Sequence, residues 1–189
     1  MKYLVFSDSH GDTSYMRRAV LKNKDAEAIF FLGDGLRDIA YDIDGVYGIP
    51  VFSVKGNCDV GVTSIYPAVK KTDEIVLEGK KIVFTHGDIY NVKSTTQDLS
   101  CLAISRGADI VLFGHTHTPC EIYVPTDSEE YKLACRDLRD KNALPEGFTE
   151  KPYYLFNPGS ISYRDGIPTF GIITLTKDRQ PLFSHGKLL

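Results

Sequence analysis

Five histidines occur in this 189-residue chain, and four of them, His10, His86, His115 and His117, sit in short polar stretches that each follow an apolar run. Asp8 and His10 share one such stretch, as do His115 and His117; Asp34, Asn57 and His86 sit in three others. The i, i+2 spacing of Asp8 with His10, and of His115 with His117, puts both members of each pair on one side of an extended segment, so each pair can grip one cation from a common direction. Imidazole nitrogen mixed with carboxylate and amide oxygen suits Mn, Fe, Zn, Ni or Co better than Ca or Mg. Seven candidates (Asp8, His10, Asp34, Asn57, His86, His115 and His117) are too many for one tetrahedral ion and fit two ions with open positions. The Asp34 carboxylate could bridge the pair. Two cations about 3.5 to 4 Å apart can clamp a phosphoryl group, acidify a shared water and stabilise the entering and leaving oxygens of an in-line displacement. The chemistry predicted is phosphoryl transfer to water, with a metal-bridging hydroxide as nucleophile. Asn57 and the histidines would neutralise charge on the equatorial oxygens.

Taken singly, each of these residues could be a helix cap or an ordinary turn residue. The joint pattern depends on the elements that must bring them together. Tyr3–Phe6 is a short continuous apolar run of the kind found in strands buried on both faces. Residues 13–24 then place Met16, Ala19 and Val20 at helical spacing, with Asp12 or Thr13 available as N-cap. A second apolar run, Ala28–Leu32, ends at Gly33-Asp34. Strand, loop, helix, strand in that order predicts a right-handed βαβ unit and a parallel sheet. Val51–Val54, Lys81–Phe84 and Asp109–Phe113 repeat the pattern, each running into a ligand-bearing cluster. Ligands bind outside the carboxyl ends of strands in such sheets, so all five clusters can converge. Residues 94–106 predict a helix with Thr95, Leu99, Leu102 and Ala103 facing inward and Gly107 closing it. Tyr153–Phe156 and Thr169–Thr176, rich in aromatic and β-branched residues, predict antiparallel strands of a second sheet.

The length fits one domain, 1–189, that buries roughly 70% of its unfolded surface. A polar insertion at about 125–152 is bounded by prolines, with a short helix near 128–140, and is read as solvated surface. The net charge of -3 argues against a partner whose many phosphates must be neutralised, so nucleic acid is not expected. No stretch approaches the roughly 20 apolar residues of a bilayer span, and no membrane partner is expected. Cys58, Cys101, Cys120 and Cys135 form no CxxC pair, and the opening apolar run meets Asp8 too soon for a signal-peptide core. A cytoplasmic protein follows, acting on a small phosphate ester; homo-oligomerisation stays open. His185, outside every cluster, and the Asn157-Pro158-Gly159-Ser160 turn are assigned no chemistry.

These motifs closely resemble those of the calcineurin-like metallophosphoesterase superfamily, and within it the small bacterial and archaeal phosphodiesterases. The match rests on Asp8-Ser9-His10, Gly33-Asp34, Gly56-Asn57-Cys58-Asp59, His86-Gly87 and Gly114-His115-Thr116-His117, followed by Asn157-Pro158-Gly159-Ser160, in the family's order. The resemblance implies an α/β fold: a four-layer αββα sandwich of two facing mixed sheets with outer helices. It implies Asp8, His10, Asp34 and His117 around one metal, and Asp34, Asn57, His86 and His115 around the other. Asn57 and Cys58 are placed as substrate-binding. Larger phosphatases of the superfamily carry a histidine where this chain has Cys58, which implies a different proton donor or a better leaving group. Two other readings stand beside the phosphodiesterase: a nuclease of the same superfamily, and a catalytically silent scaffold of the same fold, similar to the retromer small subunit. The scaffold predicts eroded ligands, and here every ligand position holds a competent residue.

Overall fold

Alternation of side chains along each strand lays down the architecture. The computed structural model describes residues 1–42, 48–62 and 68–188. Strand β1 (Lys2–Phe6) pairs in parallel with β2 (Ala28–Phe31), and β2 with β3 (Val51–Ser53). Helix α1 (Ser14–Lys22) and helix α2 (Leu36–Asp42) make the crossovers. Leu4 and Phe6 point to one side of β1, into a cluster with Met16, Ala19 and Leu36 from these helices. Tyr3 and Val5 point to the other side, into a cluster with Ile82, Phe84, Ile110 and Leu112 of a second sheet. Val83 and Val111, on the far face of that sheet, pack against Leu99, Leu102, Tyr131 and Leu138. Three apolar cores therefore separate four layers: helices, sheet, sheet, helices, as the family resemblance implies.

Both sheets are mixed and follow one plan. The first, in the order β10-β9-β1-β2-β3, adds β9 (Thr169–Thr174) antiparallel to β1, and β10 (Leu182–Lys187) antiparallel to β9, beside three parallel strands. In the second, ordered β4-β5-β6-β8-β7, β5 (Lys80–Thr85), β6 (Ile110–Leu112) and β8 (Tyr153–Asn157) run parallel. Strands β4 (Thr72–Leu77) and β7 (Cys120–Val124) close its edges in antiparallel fashion. One expectation changes here. The residue 169–176 run does not join the second sheet: Ile172 and Ile173 register with Leu4 and Tyr3, inserting β9 beside β1. The Tyr153–Phe156 run enters the second sheet as expected, antiparallel to β7 on one side; on the other it lies parallel to β6, because the long connection after β6 lets the chain return in the same direction.

Helix α3 (Gln97–Arg106) starts later than expected, and Thr95 is exposed; its hydroxyl instead accepts from Gln97 N at 3.2 Å. Gly107 closes the helix in the left-handed conformation, as its position predicts. At the start of α1 the cap is the Asp12 carboxylate, which accepts from Ser14 N and Ser14 Oγ, while Thr13 makes no side-chain cap. The segment read as solvated surface holds helix α4 (Glu129–Asp140), capped by Ser128, whose Tyr131, Ala134, Cys135 and Leu138 are buried against α3 and the second sheet. The four buried residues recur at helical spacing, so one face of this charged segment is core and the other is solvated. All four cysteines are free; Cys135 is buried, Cys101 and Cys120 half-buried, and Cys58 exposed.

Candidate metal centre

The parallel strands of both sheets end at one seam, and their following loops are stitched across it. His86 Nδ1, just past β5, lies 2.8 Å from the carbonyl of Leu32, just past β2. Ile161 N donates to Ser7 O, the Ser160 hydroxyl reaches Asp8 O, and Gly114 N donates to His86 O. With Cys58 N donating to Asp34 Oδ1, the loops after β1, β2, β3, β5 and β6 meet, as expected from strands that each terminate in polar residues.

The backbone there is unusual. Asp8, His10, Asp34, His115 and His117 all have φ between 47° and 65°, the left-handed region that non-glycine residues seldom adopt. The Asp8–His10 and His115–His117 segments are therefore not extended, contrary to the spacing argument; consecutive sharp turns, rather than a pleat, aim each pair inward. Close glycines make this possible. A Cβ on Gly114 would stand 2.0 Å from Ser7 Oγ and 3.1 Å from Asp8 Oδ2, and one on Gly33 would stand 2.5 Å from Gly56 N.

Side chains from all five loops converge. His117 Nε2 is 3.2 Å from Asp8 Oδ1, with His10 Nε2 at 3.9 Å and His86 Nε2 at 4.0 Å from the same oxygen. On the other side, His86 Nε2 lies 3.3 Å from Asp34 Oδ2, 3.2 Å from Asn57 Oδ1 and 3.1 Å from His115 Nδ1. Two compact donor groups result, Asp8–His10–His117 and Asp34–His86–His115, with Asn57 beside the second. Asp8, Asp34 and His86 are buried; His10, His115 and His117 are half-buried; Asn57 and Cys58 are exposed at the rim.

Electrostatics follow from that crowding. Burial alone would raise the Asp34 carboxyl, but His86 and the Cys58 amide, 2.7 Å from Oδ1, hold it well below the usual carboxylate range. Burial would lower His86, yet Asp34 and Asp8 raise it. His115 is lowered by burial and by the neighbouring His86 and Lys93. Burial and then Asp34 push the Cys58 thiol up to about 11, so the free thiol carries its proton at neutral pH. A further group of His10, Asp34 and Cys58 also lies within ligand distance.

The donor set fits a divalent cation. Asp8 Oδ1 is buried and has no hydrogen-bond partner, although three imidazole nitrogens face it. A buried carboxylate oxygen left unpaired is costly unless a cation satisfies it. With Nδ1 of His86 donating to the Leu32 carbonyl, its Nε2 lone pair points into the cage, the tautomer that a metal-ligating histidine needs.

Sequence reasoning missed the supporting carboxylates. Asp59, although part of a quoted motif, had no assigned role; its two oxygens accept from the backbone amides of Asp34, Gly35, Leu36 and Gly56 at 2.8 to 2.9 Å. It anchors both the Asp34 and the Asn57 loops. Asp38 on α2 accepts from Ser9 Oγ and Gly11 N. Asp165 lies 3.0 Å from His117 Nδ1. Its only signal is a carboxylate shortly after the Asn157–Ser160 turn. His185 is not free in solvent: it stacks on Phe156 and its Nε2 is 2.8 Å from the Asn157 carbonyl, away from the cage.

Two facing mixed sheets carry a histidine and carboxylate cage at their common seam. The chain belongs to the calcineurin-like phosphoesterase superfamily, whose domain model matches residues 1–178. It is 31% identical over 121 residues to the probable metallophosphoesterase YsnB of Bacillus subtilis, covering 62% of this chain and 64% of that protein. The chain spans just under two thirds of the length of the curated relatives it matches. Among solved structures, it is similar in fold to an archaeal phosphodiesterase at 20% identity, a TM-score of 0.63 and full coverage of both chains. Its fold is likewise similar to zinc-complexed Vps29 from Entamoeba histolytica, at 17% identity and a TM-score of 0.64 over 99% of each chain. Family and donor groups together support divalent metal binding. No helix among the described residues is long and apolar enough to cross a membrane.

Proposed function

We propose that this chain is a two-cation phosphodiesterase acting on small phosphate esters in the cytoplasm, with Mn as its metal and Fe, Zn, Ni or Co as alternatives of the same donor preference. The observation that supports it best is the pair of adjoining donor groups around the unpartnered Asp8 Oδ1. Asp8, His10 and His117 would hold one cation and Asn57, His86 and His115 the other, with Asp34 between them. When bound, such a pair supplies Lewis-acid polarisation of the phosphoryl group and an acidified water.

The chain's own residues do the rest. His86 is locked by the Leu32 carbonyl, and Asp8 is held by the His115 amide at 3.2 Å, so the donors need no rearrangement on binding. Asn57 stands exposed at the rim, its Oδ1 beside His86 and its Nδ2 donating to Cys58 Sγ at 3.2 Å, on the side from which a phosphoryl oxygen would approach. Cys58 beside it presents a neutral S–H, a weak donor toward a departing oxygen. The cleft lined by His10, Gly11, Arg37, Cys58 and Val62 has a volume of about 210 Å³, which suits a small ester better than a polymer. Four free cysteines fit a reducing compartment.

The test is a panel of chromogenic phosphomonoesters and phosphodiesters assayed with Mn-replete and chelator-treated protein. Diester hydrolysis that exceeds monoester hydrolysis in kcat/KM and is lost on chelation is the expected result. The Vps29 likeness favours a second reading, a binding scaffold. Mn binding with no turnover of any ester would select it.

A further inference from the structure

Asp165 belongs to none of the motifs, yet it touches the cage. It ends the 3-10 turn Tyr163–Asp165, entered at Ser162, whose hydroxyl accepts from Arg164 N, and left at Gly166 with φ 114°. One oxygen, Oδ1, lies 3.0 Å from His117 Nδ1. The other, Oδ2, lies 2.6 Å from Ser160 Oγ, which is itself 3.0 Å from the Asp8 carbonyl and accepts from Ser162 N. The same imidazole turns Nε2 toward Asp8 Oδ1 at 3.2 Å. His117 is thus backed by an anion, whereas His86, its counterpart in the other donor group, is backed by the neutral Leu32 carbonyl.

We propose that Asp165 is a positioning residue for the cation held by Asp8, His10 and His117, and that it makes this the tighter of the two sites. It fixes the Nδ1–H tautomer and ring plane of His117 and draws electron density toward Nε2. Carboxylates that brace a metal-ligating imidazole in this way change metal affinity by about 10- to 100-fold. The inference rests on the two-cation reading above. Asp165 and His117 have side chains 24% and 31% exposed, so water competes only partly for their contact.

The experiment is calorimetric titration of Mn into metal-free wild-type protein, Asp165→Asn, Asp165→Ala and His10→Ala. In Asp165→Asn the amide oxygen can still accept from His117 Nδ1, and the amide nitrogen can donate to Ser160 Oγ, leaving the serine proton for the Asp8 carbonyl. The network stays closed and only the charge goes. Wild type should show two steps, and His10→Ala identifies the one that belongs to the Asp8 group. Asp165→Asn should weaken that step about tenfold and Asp165→Ala about a hundredfold, with the other step unchanged. Two unchanged steps in both Asp165 variants overturn the positioning role and leave the two-cation reading intact. Equal weakening of both steps with a lower melting temperature of the metal-free protein marks a merely structural role and also overturns it. Absence of Mn uptake by wild type would overturn the cage reading itself.

Discussion

Gly56 leaves space for the Asp34 carboxylate: a Cβ at position 56 would stand 2.1 Å from Asp34 Oδ1 and 2.5 Å from Asp34 N. The requirement is room, and the Asp34 backbone nitrogen cannot swing aside as a side chain can. Gly56→Ala should therefore destabilise the fold by about 1–3 kcal/mol, the range for overpacking a tight site. It should also displace a candidate ligand, so thermal melts and Mn titration on the same variant should both change. A normal Mn isotherm would show that the loop yields without moving Asp34.

Asp59 gathers four backbone amides of two loops onto one carboxylate. Asp59→Ala strands those donors in a buried place, and a loss of about 3–5 kcal/mol is expected in urea unfolding of the metal-free protein. Asp59→Asn, which keeps one acceptor, should lose less. Equal stability of both variants and wild type would remove the anchoring role.

His86 contacts members of both donor groups while making no contribution to the outer surface. In His86→Ala the hydrolysis rate should fall by at least about 100-fold, beyond the effect of an outer partner of a metal ligand. Circular dichroism should report a retained fold. Asp34→Asn should behave alike, and full turnover of that variant with saturating Mn would refute its assignment.

Ion binding should also register as stability. At 100 times its dissociation constant, a ligand of the folded state adds about 2.7 kcal/mol per site, and each kcal/mol raises the melting temperature of a chain this size by about 2–4 °C. A rise of roughly 5–10 °C per filled site on adding Mn, reversed by a chelator, is expected by differential scanning calorimetry. No shift at saturating Mn would contradict a cage made of native-state geometry.

Cys135 lies in the core between α3 and α4. Cys135→Ala should cost about 1 kcal/mol in urea unfolding, as small core deletions do, and leave Mn binding as in wild type. A change in the Mn isotherm would imply coupling between that helix pair and the seam.

How far the sequence discloses this molecule depends on how local each feature is. The loops after β1, β2, β3, β5 and β6 are legible because each apolar run stops abruptly at a ligand-type residue. Which sheet a strand joins is a long-range fact: nothing within Thr169–Thr174 announces that it will pair with β1 at the opposite end of the chain. The edge strands β4 and β7 carry only three consecutive apolar residues each, Ile75–Leu77 and Ile122–Val124, behind charged ones, so their local signal is weak. Helix α2 is only seven residues long, too short for its apolar positions to establish a period. At the site, every candidate ligand comes from a motif, but the carboxylates that brace them do not. Asp165 reaches His117 across 48 positions of sequence, a contact that only the tertiary fold creates.

The five left-handed residues of the cage have a further consequence. Because each strained torsion is imposed by flanking strands and tight glycine contacts, the conformational entropy of arranging the donors is surrendered when the chain folds, not when an ion arrives. Capture of an ion then resembles insertion into a rigid mould, fast and with little reordering of the polypeptide. Exchange of one metal for another should leave the frame as it was, so that the identity of the occupant is settled by supply and donor chemistry more than by any movement of the protein.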